Sequence, residues 1–405
     1  MNLPDFASWS GSLGSQGVGW PRFVLDRSRL EANIDRVRSM FERRNLRLVL
    51  KSLSSPALID YLMERTGTRR LMAFHLPFLL QAAARWPASD IMLGKPLPIA
   101  AVESFYSRIE SIPDFDHQRS LHWLVDTPQR VAAHAAIARR FGVTMQVAIE
   151  LDVGMHRGGA NNAEQLWAVL DAVAREPDVL RVTGFMGYDA HAGKGVPWQS
   201  RRRSVSQANA RYRRLLLAAR ESHSLLLPDD LIINGGGSPT CVFHDQSASP
   251  LNELAIGSVF VKPAEFDLPQ LEAFEPACWL AAPVIKRLAG VRIPFLEWLS
   301  ALSHRDTLFI YGGRWNALPC WPEGMRESRV YGPSFNQQLL TVPRSVRVQP
   351  EDFVFFRPVQ SESLMTALGD ILLIDDGVIV DEWPVLEQQL QTGEKCSTTS
   401  RGVET

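Results

Sequence analysis

Eight short apolar runs recur as far as residue 257 with helical stretches between most of them, and this alternation restricts the fold more than any other feature. The runs are Leu48–Lys51, Leu71–Phe74, Ile91–Leu93, Trp123–Asp126, Gln146–Leu151, Val182–Met186, Leu231–Asn234 and Leu254–Gly257. Helical spacing fills the gaps at Pro56–Glu64, Pro77–Arg85, Ile99–Ile109, Pro128–Arg140, Glu164–Arg175 and Arg201–Ser222. A strand that reads as unbroken apolar residues is buried on both faces, and a helix after it is the crossover that parallel pairing demands. Eight such units predict an α/β fold, a (β/α)8 TIM-type barrel with its functional face at the C-terminal ends of the strands. A doubly wound open sheet is the rival arrangement.

A chain of 405 residues exceeds what one compact core usually holds, so a second domain is expected. Beyond Phe266 the texture changes to β-type runs, Ala282–Arg287, Thr307–Tyr311, Phe353–Phe356, Ile371–Ile374 and Val378–Val380, broken by Pro and Gly turns. This predicts a C-terminal all-β domain. The domain reading is therefore a flexible N-terminus at 1–18, the barrel at 19–265, the β domain at 266–387 and a disordered tail at 388–405. The initial strand Arg22–Leu25 precedes the barrel and either joins it or, in the domain reading, joins the β domain. Ser28–Arg43 follows as a helix with Leu30, Ile34, Val37 and Phe41 on one face.

A formal net charge of −1 gives no field to gather nucleic acid or an anionic membrane, so no such partner is expected. Cys241, Cys278, Cys320 and Cys396 form no C-x-x-C pair, which argues against a disulfide framework and suits a reducing cytoplasm. No run of eighteen apolar residues occurs, and the N-terminus lacks a basic segment followed by an apolar one, so neither membrane insertion nor secretion is expected.

The ligand must then be held by a local site, and the barrel-strand ends carry the chemistry. Lys51 closes the first barrel run in a chain with six lysines against thirty-seven arginines. Only an amine that can lose its proton forms a Schiff base, and guanidinium cannot substitute for it. The fifth run leads into Glu150-Leu151-Asp152-Val153-Gly154-Met155-His156-Arg157-Gly158-Gly159, where Arg157 could address an anion or a phenolate or simply be solvated. The sixth leads into Gly187-Tyr188-Asp189-Ala190-His191, a Tyr and a His suited to handling protons, although a lone His is more often only hydrogen-bonded. The seventh leads into Asn234-Gly235-Gly236-Gly237-Ser238-Pro239-Thr240, which can present backbone N–H groups and hydroxyls to a phosphate. No Gly-Lys-Ser/Thr follows, so this is not a Walker loop. A lysine on one strand and a phosphate cradle on another would hold a phosphorylated aldehyde, of which pyridoxal 5′-phosphate is the natural case.

In order and spacing, Lys51, Glu150 to Gly158, Tyr188 to His191, Asn234 to Thr240 and Asn252-Glu253-Leu254 to Gly257-Ser258 together resemble the fold-type III pyridoxal-phosphate enzymes. The D-threonine aldolase and D-serine dehydratase-like group is the most similar, over roughly residues 20 to 385. The resemblance implies an alanine-racemase-type barrel and Lys51 as the Schiff-base lysine. It further implies Arg157 near the cofactor's phenolic oxygen, Tyr188 near the Schiff base, and phosphate binding by Gly236, Gly237, Ser238 and Thr240. It implies homodimers in which one subunit's β domain closes the partner's barrel mouth. The implied activity is that of a lyase on D-amino acids, by aldol cleavage or dehydration of a β-hydroxy substrate.

Two departures bear on that activity. Metal-dependent members carry Pro-x-His-x-Cys or Pro-x-His-x-Asp, whereas this chain has Pro358-Val359-Gln360-Ser361-Glu362. Gln is a poor zinc ligand, so Gln360 and Glu362 are candidates for a harder divalent ion, or Glu362 for an acid–base group without metal. Many relatives have Thr-His after the lysine; Ser52-Leu53 stands here, leaving His191 and His156 as the histidine candidates. A racemase of this fold needs a second-face base, usually a Tyr of the β domain, and Tyr311 and Tyr331 do not sit in a racemase-like context. Racemisation is thus the second reading, and a non-catalytic pyridoxal-phosphate homeostasis protein the third. Arg201 to Arg214 reads as a solvated helix face, Gly312 to Pro322 as an aromatic-rich loop, and Cys320 as a weak nucleophile.

Overall fold

The computed structural model describes residues 3–389 except 42–43, 245–248, 293, 297, 299, 301–302 and 329–331. Tyr331 and most of the expected tail, 390–405, lie outside the described residues, as do Glu42 and Arg43 at the end of the first expected helix.

Strands β1 (Arg22–Asp26), β2 (Asn45–Val49), β3 (Arg70–Ala73), β4 (Asp90–Leu93), β5 (Leu121–Val125), β6 (Met145–Glu150), β7 (Leu180–Gly187), β8 (Ile232–Gly235) and β9 (Glu253–Ile256) account for every run expected in the first part of the chain. β2 to β9 close on themselves in sequence order, and β2 meets β9 in parallel from Asn45↔Glu253 to Leu48↔Ile256. The helices are α1 (Phe6–Ser15), α2 (Arg27–Met40), α3 (Pro56–Thr66), α4 (Leu76–Arg85), α5 (Ile99–Tyr106), α6 (His117–Ser120), α7 (Pro128–Phe141), α8 (Ala163–Ala174), α9 (Ala190–Lys194), α10 (Arg201–His223), α11 (Ser258–Val261) and α12 (Ser361–Ala367). Local chemistry sets their ends. Thr127 accepts the Arg130 N–H, Pro128 opens α7, and Gly142 ends it at φ 64°, a left-handed turn that glycine enters without strain. Along α10, Arg202, Arg203, Arg213 and Arg214 are exposed, whereas Arg211 is only half so.

Later strands are β10 (Cys278–Leu288), β11 (Arg305–Tyr311), β12 (Ala317–Trp321), β13 (Arg326–Glu327), β14 (Gln337–Pro343), β15 (Phe353–Pro358), β16 (Ile371–Asp375) and β17 (Val378–Trp383). They form one sheet with β1, ordered β13-β14-β11-β10-β1-β16-β17, while β15 pairs with β10 and β12. β1 runs antiparallel to β10 and parallel to β16, so this sheet is mixed and β1 belongs to it. The C-terminal region is thus the expected β domain, built on a mixed sheet, and α12 lies in the same stretch of chain.

Chain contacts divide the protein into two units: 1–39, 52–66 and 258–385 in one, and 40–51, 67–257 and 386–405 in the other. The N-terminus, expected to be loose, instead forms α1 in the first unit. Its Phe6, Trp9 and Leu13 enter a core with Trp279, Phe353 and Phe355, and Phe6 stacks on Phe355 at 4.6 Å. The aromatic-rich segment at 312–322 is likewise more ordered than a loop, because Ala317–Trp321 pairs with β15.

Candidate functional site

The expected site residues separate between the units. Lys51, Arg157, Tyr188, His191 and the 234–240 turn belong to the barrel unit, all at or just beyond C-terminal ends of its strands. Lys51 sits in a single 3-10 turn (Leu50–Ser52) directly after β2, exposed, with Nζ 4.9 Å from the centre of the Phe74 ring. Phe74 in turn packs on Gly94 after β4, where a Cβ would come within 2.3 Å of its ring. The lysine therefore stands at a strand end beside an aromatic wall.

Arg157, Tyr188 and the glycine turn form a continuous contact. The Arg157 guanidinium lies 4.8 Å from the Tyr188 ring centre, within cation–π range. On the ring's other contact, a Cβ at Gly237 would lie 2.7 Å from Tyr188 Cε2. Gly236 has φ 68°, where a side chain is strained, and a Cβ there would lie 2.9 Å from Leu254. Glycine is thus favoured at both positions, and at Gly237 it leaves bare backbone facing the tyrosine. Ser238 and Thr240 are buried, and Ser238 Oγ accepts the Gly257 N–H at 3.4 Å. Thr240 Oγ1 donates to Asp189 Oδ1 at 2.6 Å.

Charged groups not assigned a role from the sequence support this mouth. Glu150 ends β6 beneath the Arg157 turn, with Oε2 3.4 Å from where a Gly158 Cβ would stand. Burial pushes its carboxyl above the ordinary value, and Asp126 and Asp152 add to that against Arg157 and Arg130. Asp152 accepts the backbone N–H groups of Gly154 and His156 and pairs with His156 Nδ1 at 2.8 Å. Burial alone would raise Asp152, but these bonds hold it below the ordinary range. His191 is half-buried; burial, with Arg211 and His156 nearby, lowers its pKa despite Asp189 and Asp152. Its Nδ1 is a buried atom that has no hydrogen-bond partner among the described residues. The lowered pKa favours the neutral imidazole beside the Gly154 loop, a form that can accept a proton.

Gln360 and Glu362 lie in the other unit. Gln360 Nε2 donates to Glu265 at 2.8 Å, and Glu362 Oε1 accepts from Ser52 Oγ at 3.0 Å, with Ser258 Oγ donating to Ser52 at 3.0 Å. Among the described residues no group of three His, Cys, Asp or Glu side chains is placed to hold a metal ion. Cys320 is half-buried and burial raises its thiol pKa, which suits a weak nucleophile. Tyr311 is 49% exposed on β11.

A phosphorylated aldehyde fits what the barrel unit offers: an amine at one strand end, a guanidinium over an aromatic ring, and a turn whose glycines leave no room for side chains. No described helix is long and apolar enough to cross a membrane.

The barrel strands and their ends match a known family model, the alanine racemase N-terminal domain, over residues 25–263. A search of curated protein sequences finds no match. Among solved structures, the D-threonine aldolase of Filomicrobium marinum superposes with a TM-score of 0.70 at 17% identity, covering 91% of this chain and 97% of that one. The D-threo-3-hydroxyaspartate dehydratase of Delftia sp. HT23 gives 0.69 at 16%, covering 92% and 99%. The alanine racemase of Bacillus anthracis gives 0.68 at 14%, covering 90% and 97%. An aldolase, a dehydratase and a racemase thus share this fold at similar distance from it. The match over 25–263 takes in every barrel strand and every barrel-unit residue of the site, and by it the chain belongs to the alanine racemase N-terminal domain family, the fold-type III pyridoxal-phosphate fold.

Proposed function

We propose that this protein is a pyridoxal-phosphate lyase that cleaves the Cα–Cβ bond of a β-hydroxy-D-amino acid. The observation that carries the proposal is the unbroken contact from Arg157 through Tyr188 to the Gly236–Gly237 turn, at the C-terminal ends of barrel strands as Lys51 is. Pyridoxal phosphate, when bound, supplies an electron sink for negative charge at the substrate's Cα. Lys51 would anchor the aldehyde, and the turn at Gly236, Gly237 and Ser238 would receive its phosphate. Arg157 would offer its positive charge to the phenolic oxygen, with Glu150 steadying the turn that carries it, and Tyr188 would stand beside the cofactor. His191, held neutral, removes the proton of the substrate's β-hydroxyl.

Dehydration is the neighbouring reading, since loss of the Cα proton and hydroxide uses the same groups, and the resemblance to a D-threo-3-hydroxyaspartate dehydratase favours keeping it. Incubation with D-threonine and D-serine, assayed for glycine, acetaldehyde, pyruvate and stereoinversion, separates these. Stereoinversion alone would show a racemase and end the lyase reading. The third possibility, a binding protein without turnover, predicts cofactor but none of these products. Lys51→Ala is expected to abolish the near-visible absorbance band of the bound aldehyde; a band retained by the variant removes Lys51 from its role. Light scattering would check the homodimer that goes with this reading.

A further inference from the structure

Behind the glycine turn lies a buried polar cluster that the proposed reaction leaves unused. The side chains of His244 and Asp189 are 1% and 3% exposed. Asp189 Oδ1 takes the Thr240 hydroxyl at 2.6 Å, and Oδ2 lies 2.8 Å from His244 Nε2. Ser249 Oγ stands 3.0 Å from His244 Nδ1. Nε2–H donates to the carboxylate, and Nδ1 is hydrogen-bonded to the Ser249 hydroxyl.

The cluster is joined to the turn at three points. A Cβ on Gly236 would lie 3.2 Å from His244 Cδ2, so the imidazole edge backs that residue. The backbone N–H groups of Thr240 and Cys241 both donate to Gly237 O, at 3.0 and 2.9 Å. Asp189 itself follows Tyr188, whose ring covers Gly237. A threonine hydroxyl has one proton to donate, and Asp189 already receives it. A carboxylate beside an anion site is electrostatically unfavourable, so its presence needs a structural return. That return is the shape of the turn.

We propose that Asp189 and His244 are positioning residues for a phosphate site: they lock Thr240 and the Gly236–Gly237 backbone into the form that receives the phosphate group. Thr240 acts through Asp189 and does not touch the phosphate. This rests on the pyridoxal-phosphate reading, and the ligand pair chosen for the test keeps the two apart.

The full-length protein is titrated with pyridoxal 5′-phosphate and with pyridoxal, which carries the same aldehyde and ring without phosphate, and binding is read from the absorbance band. Thr240→Val and His244→Ala are expected to weaken pyridoxal phosphate about tenfold, the scale of one supporting hydrogen bond, while pyridoxal affinity stays within about twofold. Thr240→Ser, which keeps the hydroxyl, is expected to restore wild-type selectivity. Equal weakening of both ligands, as a general loss of fold would produce, overturns the proposal, and so does wild-type selectivity in Thr240→Val. If the unaltered protein binds neither aldehyde, the pyridoxal-phosphate reading itself falls, and the positioning role with it.

Discussion

His191 shows how one residue's surroundings set its chemistry. Burial and the nearby Arg211 and His156 outweigh Asp189 and Asp152, so its pKa falls below the usual histidine value. A base must be unprotonated, and the acid limb of kcat/KM is therefore expected below about pH 6.5. Replacement by Asn should lower kcat by roughly a hundredfold and remove that limb. A limb unchanged in His191→Asn would assign the proton transfer to another group, with His156 and its Asp152 partner next in line. Gly237→Ala tests the opposite side of the same mouth. The added methyl would meet the Tyr188 ring at 2.7 Å, so cofactor affinity should drop while thermal stability changes little. Loss of stability without loss of affinity would separate Tyr188 from the cofactor.

Elements formed where sequence and packing agree. Barrel strands were legible because burial on both faces writes each as an apolar run, and helices such as α7 because Thr127, Pro128 and Gly142 mark their ends. α1 was not legible: its sequence, FASWSGSLGS, is rich in Gly and Ser, which favour other conformations. Its helicity depends on Phe6 and Trp9 meeting Trp279 and Phe355, contacts remote in sequence. α7 also carries a pH-sensitive position. His134 is buried with Nδ1 bonded to Arg130 O at 2.8 Å, and burial lowers its pKa to about 4. The unfolded chain takes up the proton near pH 6.5, so this stabilising contribution is present above that value and is lost as pH falls toward 4. At most about 3 kcal/mol is involved. Denaturant unfolding at pH 7 and pH 4.5 should show a smaller acid loss in His134→Leu than in the wild type, and equal losses would place the acid sensitivity elsewhere.

For the barrel as a whole, closure draws on a buried charge network that no local pattern reveals. Arg47 on β2 is fully buried and grips Glu253 on β9 at 2.6 and 3.0 Å, and Asp90 on β4 at 2.7 Å. Arg70 and Asn234 complete the Glu253 carboxylate at 2.9 and 2.8 Å. Burial alone would raise the Glu253 pKa, but Arg47 and these partners hold it below the ordinary value. Its contribution is therefore present above the usual carboxylate range and disappears as pH falls through the depressed value. Arg47→Met strands that carboxylate inside the barrel and should cost about 3–5 kcal/mol. The double variant Arg47→Met with Glu253→Leu removes both charges and should recover much of the loss; a double variant no more stable than the single would show that the pair itself, not the stranded charge, carries the energy.

The sequence by itself determined the eight barrel strands, their parallel connection and the residues at their ends, because pairing through helical crossovers leaves a local, periodic trace. It also marked Lys51, Arg157, Tyr188 and the 234–240 turn as chemistry, since each stands where an apolar run stops. Only the tertiary structure decided which of these touch: Arg157 on Tyr188, Tyr188 on Gly237, and the Thr240 hydroxyl on Asp189. The same is true of β1, which could have joined the barrel but pairs with β10 and β16 instead. Asp189 and His244 are fifty-five residues apart, and their pairing rests on chain closure in three dimensions. Local patterns record what a residue's immediate neighbours require; the partners of a buried polar group are chosen by the fold.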